Sequence, residues 1–281
     1  LKQLLREILD SFDCPSIFVE KEHTMSKTII SYNINGIRAG LKKGLAEWLK
    51  ETDPDILCIQ ETKAQPEQVT EKEIFTQLGY EQFWHSAEKK GYSGVAIFSK
   101  MTPDKVTEGC GMEQYDQEGR ILRADFGDWT LLNCYFPSGT TGEVRQDFKM
   151  GFLRDFQQWI DQLRQERPQL IVLGDYNIAH TEMDIHDPVR NKKTSGFLPE
   201  EREWMTQWFD SGFTDAFRHL NPEKEQYSWW SYRAQARARN KGWRIDYQSV
   251  TDNLKGQLIQ AYQMTDTVHS DHCPVFVEIA L

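Results

Sequence analysis

Five places in the chain set polar side chains against the end of an apolar run. They carry Asn33 and Asn35, Glu61, Tyr135, Asp175 and Asn177, and Asp271-His272. Hard oxygen donors predominate, which suits Mg²⁺ with its preference for carboxylates, waters and phosphate oxygens and suits zinc poorly. Such a set can neutralise phosphate oxygens, orient a water in line and stabilise a leaving oxygen, the three requirements of phosphodiester hydrolysis.

Singly, each residue has a plain structural explanation. Alternation along an extended chain aims Asp175 and Asn177 the same way, into a cleft, but the pair reads equally as an Asx turn closing a strand. Glu61 alone reads as a surface acid or a helix cap, and Asp271-His272 as a hydrogen-bonded structural pair. His180, Asp184, His186 and Asp187 lack the helical register or cysteines of a zinc site. The double tryptophan after Ser228 is more often core than ligand site.

Strands and helices that could position these residues interleave along the chain. Apolar runs at 28–34, 55–60, 130–136 and 170–173 read as buried strands, and 80–86, 93–99 and 120–126 as shorter ones. Trp243 to Tyr247 and the alternating Val275, Val277 and Ile279 complete the strand set. Helical spacing joins Leu41, Leu45, Trp48 and Leu49, and Phe148, Phe152, Phe156, Ile160 and Leu163 within 144–166. Further helices are expected at 66–78, opened by Pro66, and at about 199–210. Residues 1–24 place Leu4, Leu5, Ile8, Leu9 and Phe12 at helical spacing, an expected N-terminal extension to a single domain over 25–281.

The 281 residues can bury a sizeable core, and no Pro/Gly/Ser-rich linker divides them. A net charge of −10 excludes a coat protein held on nucleic acid by bulk positive charge. Local patches still decide phosphate contact, because screening acts over about 8 Å. Five cysteines without a Cys-x-x-Cys pair, no apolar run long enough to span a membrane and no signal-peptide pattern point to a soluble cytoplasmic protein, nucleoid-associated if bacterial.

Several motifs carry a family resemblance. Tyr32-Asn-Ile-Asn-Gly-Ile-Arg-Ala39, Gln60-Glu-Thr-Lys63, Tyr135-Phe-Pro137, Gly174-Asp-Tyr-Asn177, Asn191-Lys-Lys193, Gly242-Trp-Arg-Ile-Asp-Tyr247 and Ser270-Asp-His272 occur in this order. From Lys27 to Leu281 the chain resembles the exodeoxyribonuclease III type of apurinic/apyrimidinic endonuclease, within the endonuclease/exonuclease/phosphatase superfamily. The resemblance implies an α/β fold, a four-layer α/β sandwich of two packed mixed β-sheets flanked by helices. It also implies a monomer with its site at one edge.

By the same resemblance, Glu61 is the main ligand of Mg²⁺, with Mn²⁺ as a substitute, and Asn35 and Asp271 stand near the ion. Asp175 polarises the attacking water, assisted by Asn177. His272, oriented by Asp246, contacts the scissile phosphate, and Tyr135 donates to a phosphate oxygen or assists the leaving group. Asn33, Arg38, Lys63, Asn191, Lys192, Lys193 and Arg233 belong to the expected DNA contacts, together with the rest of the Arg233 to Arg244 run. Trp229, Trp243 and Ile245 wall an apolar pocket for an extruded deoxyribose. The implied substrate is double-stranded DNA with abasic sites or blocked 3′ ends. The loop after Pro137 lacks the groove-inserted arginine of the vertebrate enzyme, and Arg233 replaces an apolar wedge, which bears on the balance between abasic incision and 3′-end activities. Two rival readings are a phosphoinositide or sphingolipid phosphoesterase on the same scaffold and a non-catalytic DNA-binding protein.

Overall fold

The computed structural model describes residues 26–281, so the expected helix in 1–24 lies outside the described residues. In chain order the strands are Ser26–Asn33 (β1), Ile56–Gln60 (β2), Glu81–His85 (β3), Val95–Ser99 (β4), Lys105–Glu108 (β5) and Ile121–Phe126 (β6). The second half supplies Trp129–Tyr135 (β7), Gln169–Asp175 (β8), Phe213–Asp215 (β9), Asp246–Thr251 (β10), Leu258–Gln263 (β11) and Val275–Ala280 (β12). They form two six-stranded mixed sheets, ordered β11-β12-β1-β2-β4-β3 and β5-β6-β7-β8-β10-β9. The α/β sandwich expected from the sequence is therefore present.

Successive residues of the central strands face opposite layers, which explains why these strands read as unbroken apolar runs. Ile29, Ile56 and Ile97 of the first sheet meet Leu131, Ile171 and Val250 of the second in the middle of the sandwich. Their neighbours Ile30, Leu57 and Phe98 pack outward against Leu45, Leu49 and Phe75. On the other flank, Leu132 and Val172 meet Phe152, Phe156 and Ile160 of the helix Glu143–Glu166 and Trp204 and Trp208 of the helix Pro199–Asp210. Truncating a core phenylalanine such as Phe156 to alanine costs about 3–5 kcal/mol.

Three sequence expectations are revised. The helix joining Leu41, Leu45, Trp48 and Leu49 is two, Ile37–Lys42 and Leu45–Thr52, parted at Lys43 and Gly44. The helix over 66–78 is a 3₁₀ turn at Pro66–Gln68 followed by a short helix at Glu73–Gln77, and the expected strand at 243–247 begins only at Asp246. Trp243 instead pairs with Trp229 through two backbone hydrogen bonds of 2.9 Å. No helix among the described residues is long and apolar enough to cross a membrane.

Each sheet has one parallel pair at its centre, β1 with β2 and β7 with β8. Parallel neighbours end on the same side, so Asn33 lies beside Gln60, and Tyr135 beside Asp175. Strand β10 runs against β8 and begins where β8 ends, putting Asp246 opposite Asp175. The sheets are riveted just below this edge: Gln60 Nε2 donates to Asn133 Oδ1 at 2.7 Å, and Asn133 Nδ2 donates to the carbonyls of Ile59 and Ala96 at 3.0 and 2.8 Å. These buried amide bonds between the sheets, with Gln60 Nε2 also donating to Ser31 Oγ at 3.0 Å, set the spacing of the strand ends above them.

Candidate active site

Asn33 joins the two sheets at the site itself. Its Nδ2 donates to Glu61 Oε1 at 2.9 Å and to Asp175 Oδ2 at 2.8 Å, drawing carboxylates from opposite sheets together. Oxygen atoms of Glu61 and Asp175 and a ring nitrogen of His272 lie within 4.8 Å of one another. Burial pushes the Asp175 carboxyl up to about 7, reinforced by Asp246 and Glu61 and opposed by His272.

His272 is held from behind. Its Nδ1 lies 2.8 Å from Asp246 Oδ2, and Nε2 lies 3.9 Å from Asp175 Oδ2. Burial works against a charged ring, but Asp246 overcomes it by charge and hydrogen bonding, with Asp175 and Asp271 adding, and raises His272 to about 10. The ring is therefore an imidazolium at neutral pH. Ser228 completes the arrangement, donating through Oγ to Asp246 Oδ2 at 2.6 Å and accepting from the amides of Ile245 and Asp246.

The donor set fits a hard divalent cation. Nδ1 of His272 is committed to Asp246, and the Glu61 and Asp175 oxygens are the hard donors of the cluster, with Asn35 and Asp271 close by. A positive charge is already held here: Lys63 Nζ lies 2.7 Å from Glu61 Oε2 and donates to Asn35 Oδ1. Asn35 in turn donates to Asp271 Oδ1 at 2.9 Å. Burial pushes the Asp271 carboxyl up, but His272, Asn35 and Trp229 bring it below its ordinary value.

Left-handed turns place these groups. Asn35, Glu61, Lys63 and Asn177 have φ of 50°, 52°, 49° and 53°. The amide of Asn177 donates to Asp175 Oδ1 at 2.8 Å, and that of Asn35 to Asn33 Oδ1 at 3.0 Å, the Asx geometry that makes asparagine tolerable in this region. Asp175 and Asn177 thus do form an Asx turn, and they also line one cleft. The two readings of the pair were not exclusive. Tyr135 lies beside Asp175 on the neighbouring strand, its hydroxyl kept protonated by burial and by Glu61 and Asp175, against the pull of Arg120.

The cleft encloses about 280 Å³ between Glu61, Tyr135, Asp175, Asn177 and His272 on one side and Trp229, Trp243 and Ile245 on the other. The segment 228–230 is laced between 243–245 and 271–273 by backbone hydrogen bonds, including Trp230 N to Asp271 O and Cys273 N to Ser228 O. Trp229 also donates from Nε1 to Asp271 Oδ2 at 3.1 Å, so one indole touches both the apolar wall and the acidic cluster.

Several expected DNA contacts need correction. Asn33 is fully buried with its amide committed to Glu61, Asp175 and the Asn35 backbone, and cannot reach a phosphate. Asn191 spends its amide on the His186 and Asp187 carbonyls of its own loop. Within the basic run, Arg244 is buried against Asp184 and Asp215, and Arg237 binds the carbonyls of Thr265, Thr267 and Ser270. Arg38, Lys192, Lys193, Arg233, Arg239 and Lys241 are exposed. His180, Asp184, His186 and Asp187 form no metal cluster, since Asp184 is taken by Arg218, Arg244 and Thr181. Sequence reasoning missed Ser228, Ser138, Thr140 and Ser195, because an isolated hydroxyl residue carries no signal until the backbone around it is placed.

A site of this make-up at the edge of a two-sheet sandwich defines a class of phosphoesterases. The chain belongs to the Endonuclease/Exonuclease/phosphatase family, which matches residues 30–272. It is 44% identical over 249 residues to an exodeoxyribonuclease of Bacillus subtilis, covering 88% of this chain and 97% of that protein. To the DNA repair nuclease APEX1 of Danio rerio it is 40% identical over 256 residues, covering 90% and 82%. Among solved structures, an AP endonuclease from Archaeoglobus fulgidus superposes with a TM-score of 0.83 at 29% identity, covering 91% of this chain and all of that one. The 3′ phosphatase NExo from Neisseria, bound to a product DNA hairpin, gives 0.84 at 26% identity with 91% and 100% covered. Within the family the protein is thus a phosphodiester-hydrolysing nuclease of the exodeoxyribonuclease III and AP endonuclease type.

Proposed function

We propose that this nuclease is Mg²⁺-dependent and incises duplex DNA 5′ to an abasic site, leaving a 3′-hydroxyl, with 3′-phosphodiesterase or 3′-phosphatase and 3′→5′ exonuclease action at the same centre. The observation that carries the reading is the junction of two unlike surfaces, the Glu61–Asp175–His272 cluster and the apolar wall of Trp229, Trp243 and Ile245. A deoxyribose without its base fits such a wall, and extruding it costs less than extruding a paired nucleotide. Arg38, Lys192, Lys193 and Arg233 supply exposed cations for the flanking phosphates.

Glu61 would hold the Mg²⁺, with Asn35 and Asp271 toward its waters, and the ion would supply charge neutralisation at the phosphate. Asp175 accepts the proton of the attacking water, and Asn177 orients that water. His272 donates from Nε2 to a non-bridging oxygen while Asp246 holds Nδ1, so its charge meets the developing anion without reorientation. Tyr135, kept as a neutral hydroxyl, donates to the phosphate or the leaving oxygen. Incision of a duplex bearing one tetrahydrofuran abasic analogue tests the reading. No Mg²⁺-dependent cleavage, or cleavage indifferent to Glu61→Ala and Asp175→Asn, would refute it. Faster hydrolysis of a phosphoinositide than of this duplex would favour the lipid alternative instead.

A further inference from the structure

The helix Glu143–Glu166 buries a stripe at Phe152, Leu153, Phe156, Ile160 and Leu163, and the next position of that stripe toward its start is Lys149. Lys149 and Glu201 are both fully buried and form an ion pair with Nζ 2.6 Å from Oε1. Burial pulls the Lys149 ammonium below its ordinary value, with Glu201 opposing. An ion pair this deep is a poor source of stability, because desolvation offsets the attraction and apolar replacements often serve the fold as well.

What the pair touches is informative. Lys149 Nζ also donates to the carbonyl oxygen of Asn177 at 2.8 Å. Glu201 Oε2 accepts from the amides of Gly196 and Leu198 at 2.6 and 2.9 Å, and Oε1 accepts from Gln146 Nε2 at 3.0 Å. Ser195 Oγ donates to Gln146 Oε1 at 2.7 Å. One side of the pair thus grips the turn that carries Asp175 and Asn177, and the other grips the Ser195–Gly196 stretch of the cleft wall. Gly196 shows how tight this seam is: a Cβ there would meet Trp243 Cζ3 at 2.9 Å and the Asn177 carbonyl oxygen at 3.0 Å.

We infer that Lys149 and Glu201 are positioning residues that fix the distance between the water-orienting turn and the wall of the sugar pocket, so that an abasic residue seated on the wall is registered against Asp175. The inference rests on the proposed abasic-site activity. Neither side chain lines the cleft, so both act through Asn177 and Gly196.

The test separates positioning from stability. Kinetics on the tetrahydrofuran duplex and thermal unfolding are measured for the native chain, Lys149→Met, the double variant Lys149→Met with Glu201→Leu, and Glu201→Asp. Removing only the ammonium strands a buried carboxylate, so Lys149→Met is expected to melt lowest. The double variant removes the stranded charge but leaves the Gly196 and Leu198 amides without their acceptor, so it is expected to recover part of the melting temperature without recovering turnover. Its kcat stays about 10- to 100-fold low, the scale of a 1 Å misplacement, while KM moves far less. Glu201→Asp keeps the charge and withdraws the oxygens by one methylene. It is expected to melt between native and Lys149→Met and, assayed well below that melting temperature, still to lose kcat, which keeps the test decisive should the double variant fail to fold. Turnover that returns with melting temperature in the double variant, or native kcat in Glu201→Asp, overturns the inference. If the native chain itself does not incise the duplex, the proposed function has failed, whatever the variants do.

Discussion

Replacing Asp246 with asparagine tests the chemistry at its most specific point. The substitution keeps the shape and an acceptor oxygen 2.8 Å from His272 Nδ1, and removes only charge. In the native site His272 stands at about 10 against an ordinary 6.5, a preference for the charged ring of about 5 kcal/mol at about 1.4 kcal/mol per tenfold in proton affinity. Asp246 is the foremost of the groups that raise it, while burial opposes. Without that carboxylate the ring loses its proton far below pH 10, and near neutrality a neutral imidazole faces the phosphate. Losing one preorganised charged donor costs about 10²- to 10³-fold in kcat. The profile moves too. Asp246 also raises Asp175, so the variant keeps Asp175 ionised to lower pH while its His272 needs lower pH to be charged. Both effects shift the optimum acidward, and a cation at Glu61 lowers Asp175 in both proteins without changing that sign. Stability follows the same ring: its contribution is full below pH 6.5 and is lost as pH rises through about 10. The native urea midpoint should fall over that interval, and the variant's should not. Measured by kcat against pH on the tetrahydrofuran duplex, an unmoved or alkaline-shifted optimum would refute the role given to the Asp246–His272 pair.

Gly174→Ala should cost about 3 kcal/mol or more, since a Cβ there would sit 1.8 Å from the Cys134 carbonyl oxygen at a φ of +135°; a urea midpoint within error of native would contradict this. Asp184→Asn removes the carboxylate shared by the buried Arg244 and by Arg218, and should destabilise by about 3–5 kcal/mol, read as a loss of melting temperature in the absence of DNA. Lys192→Ala with Lys193→Ala should weaken DNA binding about equally on any sequence and lower the salt dependence by about two charges, checked by fluorescence anisotropy across a salt series. Adding a chelator in place of Mg²⁺ should abolish turnover of both a tetrahydrofuran duplex and a 3′-phosphate end; cleavage of one alone surviving would place the two activities in different chemistry.

Periodicity and motif order carry most of the architecture. The runs at 55–60, 130–136 and 170–173 are strands because their alternate residues feed two apolar layers, a pattern visible without coordinates. The failures are informative. The 66–78 segment reads as one helix opened by Pro66, yet only Glu73–Gln77 is α-helical, since Val69 enters the core from the end of a 3₁₀ turn and Phe75 from a separate short helix. Arginine count misled at 233–244, because Arg244 and Arg237 look like surface cations until Asp184 and the 265–270 carbonyls are placed around them. Asn33 misled for the opposite reason. A buried amide with three partners and an exposed one are the same letter, and only the convergence of Glu61 and Asp175 from different sheets separates them. Lys149 was hidden too, a charge in an apolar stripe whose partner lies 52 positions away.

The strand ends show why the site could be partly read in this way. Three of the polar motifs follow an apolar strand because the fold repeats one local device: a strand ends, and one or two residues take a left-handed conformation; Tyr135 instead ends β7 itself, and Asp271-His272, expected after an apolar run, leads into β12. Asn35, Glu61, Lys63 and Asn177 all do so. Non-glycine residues in that region cost of order 1 kcal/mol or more each, and they persist where surrounding bonds over-determine them. Here those bonds are the site. Asn33 Oδ1 and Asp175 Oδ1 hold the turns that bear Asn35 and Asn177, and Asn33 Nδ2 binds both acids, so the same side chains that define the turns also aim the acids. Glu61 lacks an Asx bond of its own, and its turn is held from outside by the backbone of Gly36, whose amide donates to the Glu61 carbonyl at 2.8 Å. The first turn therefore braces the second, and Asn33 bridges the second to the third. Disturbing Asn33 should loosen all three at once, which makes Asn33→Ala more damaging to turnover than its distance from any substrate would suggest.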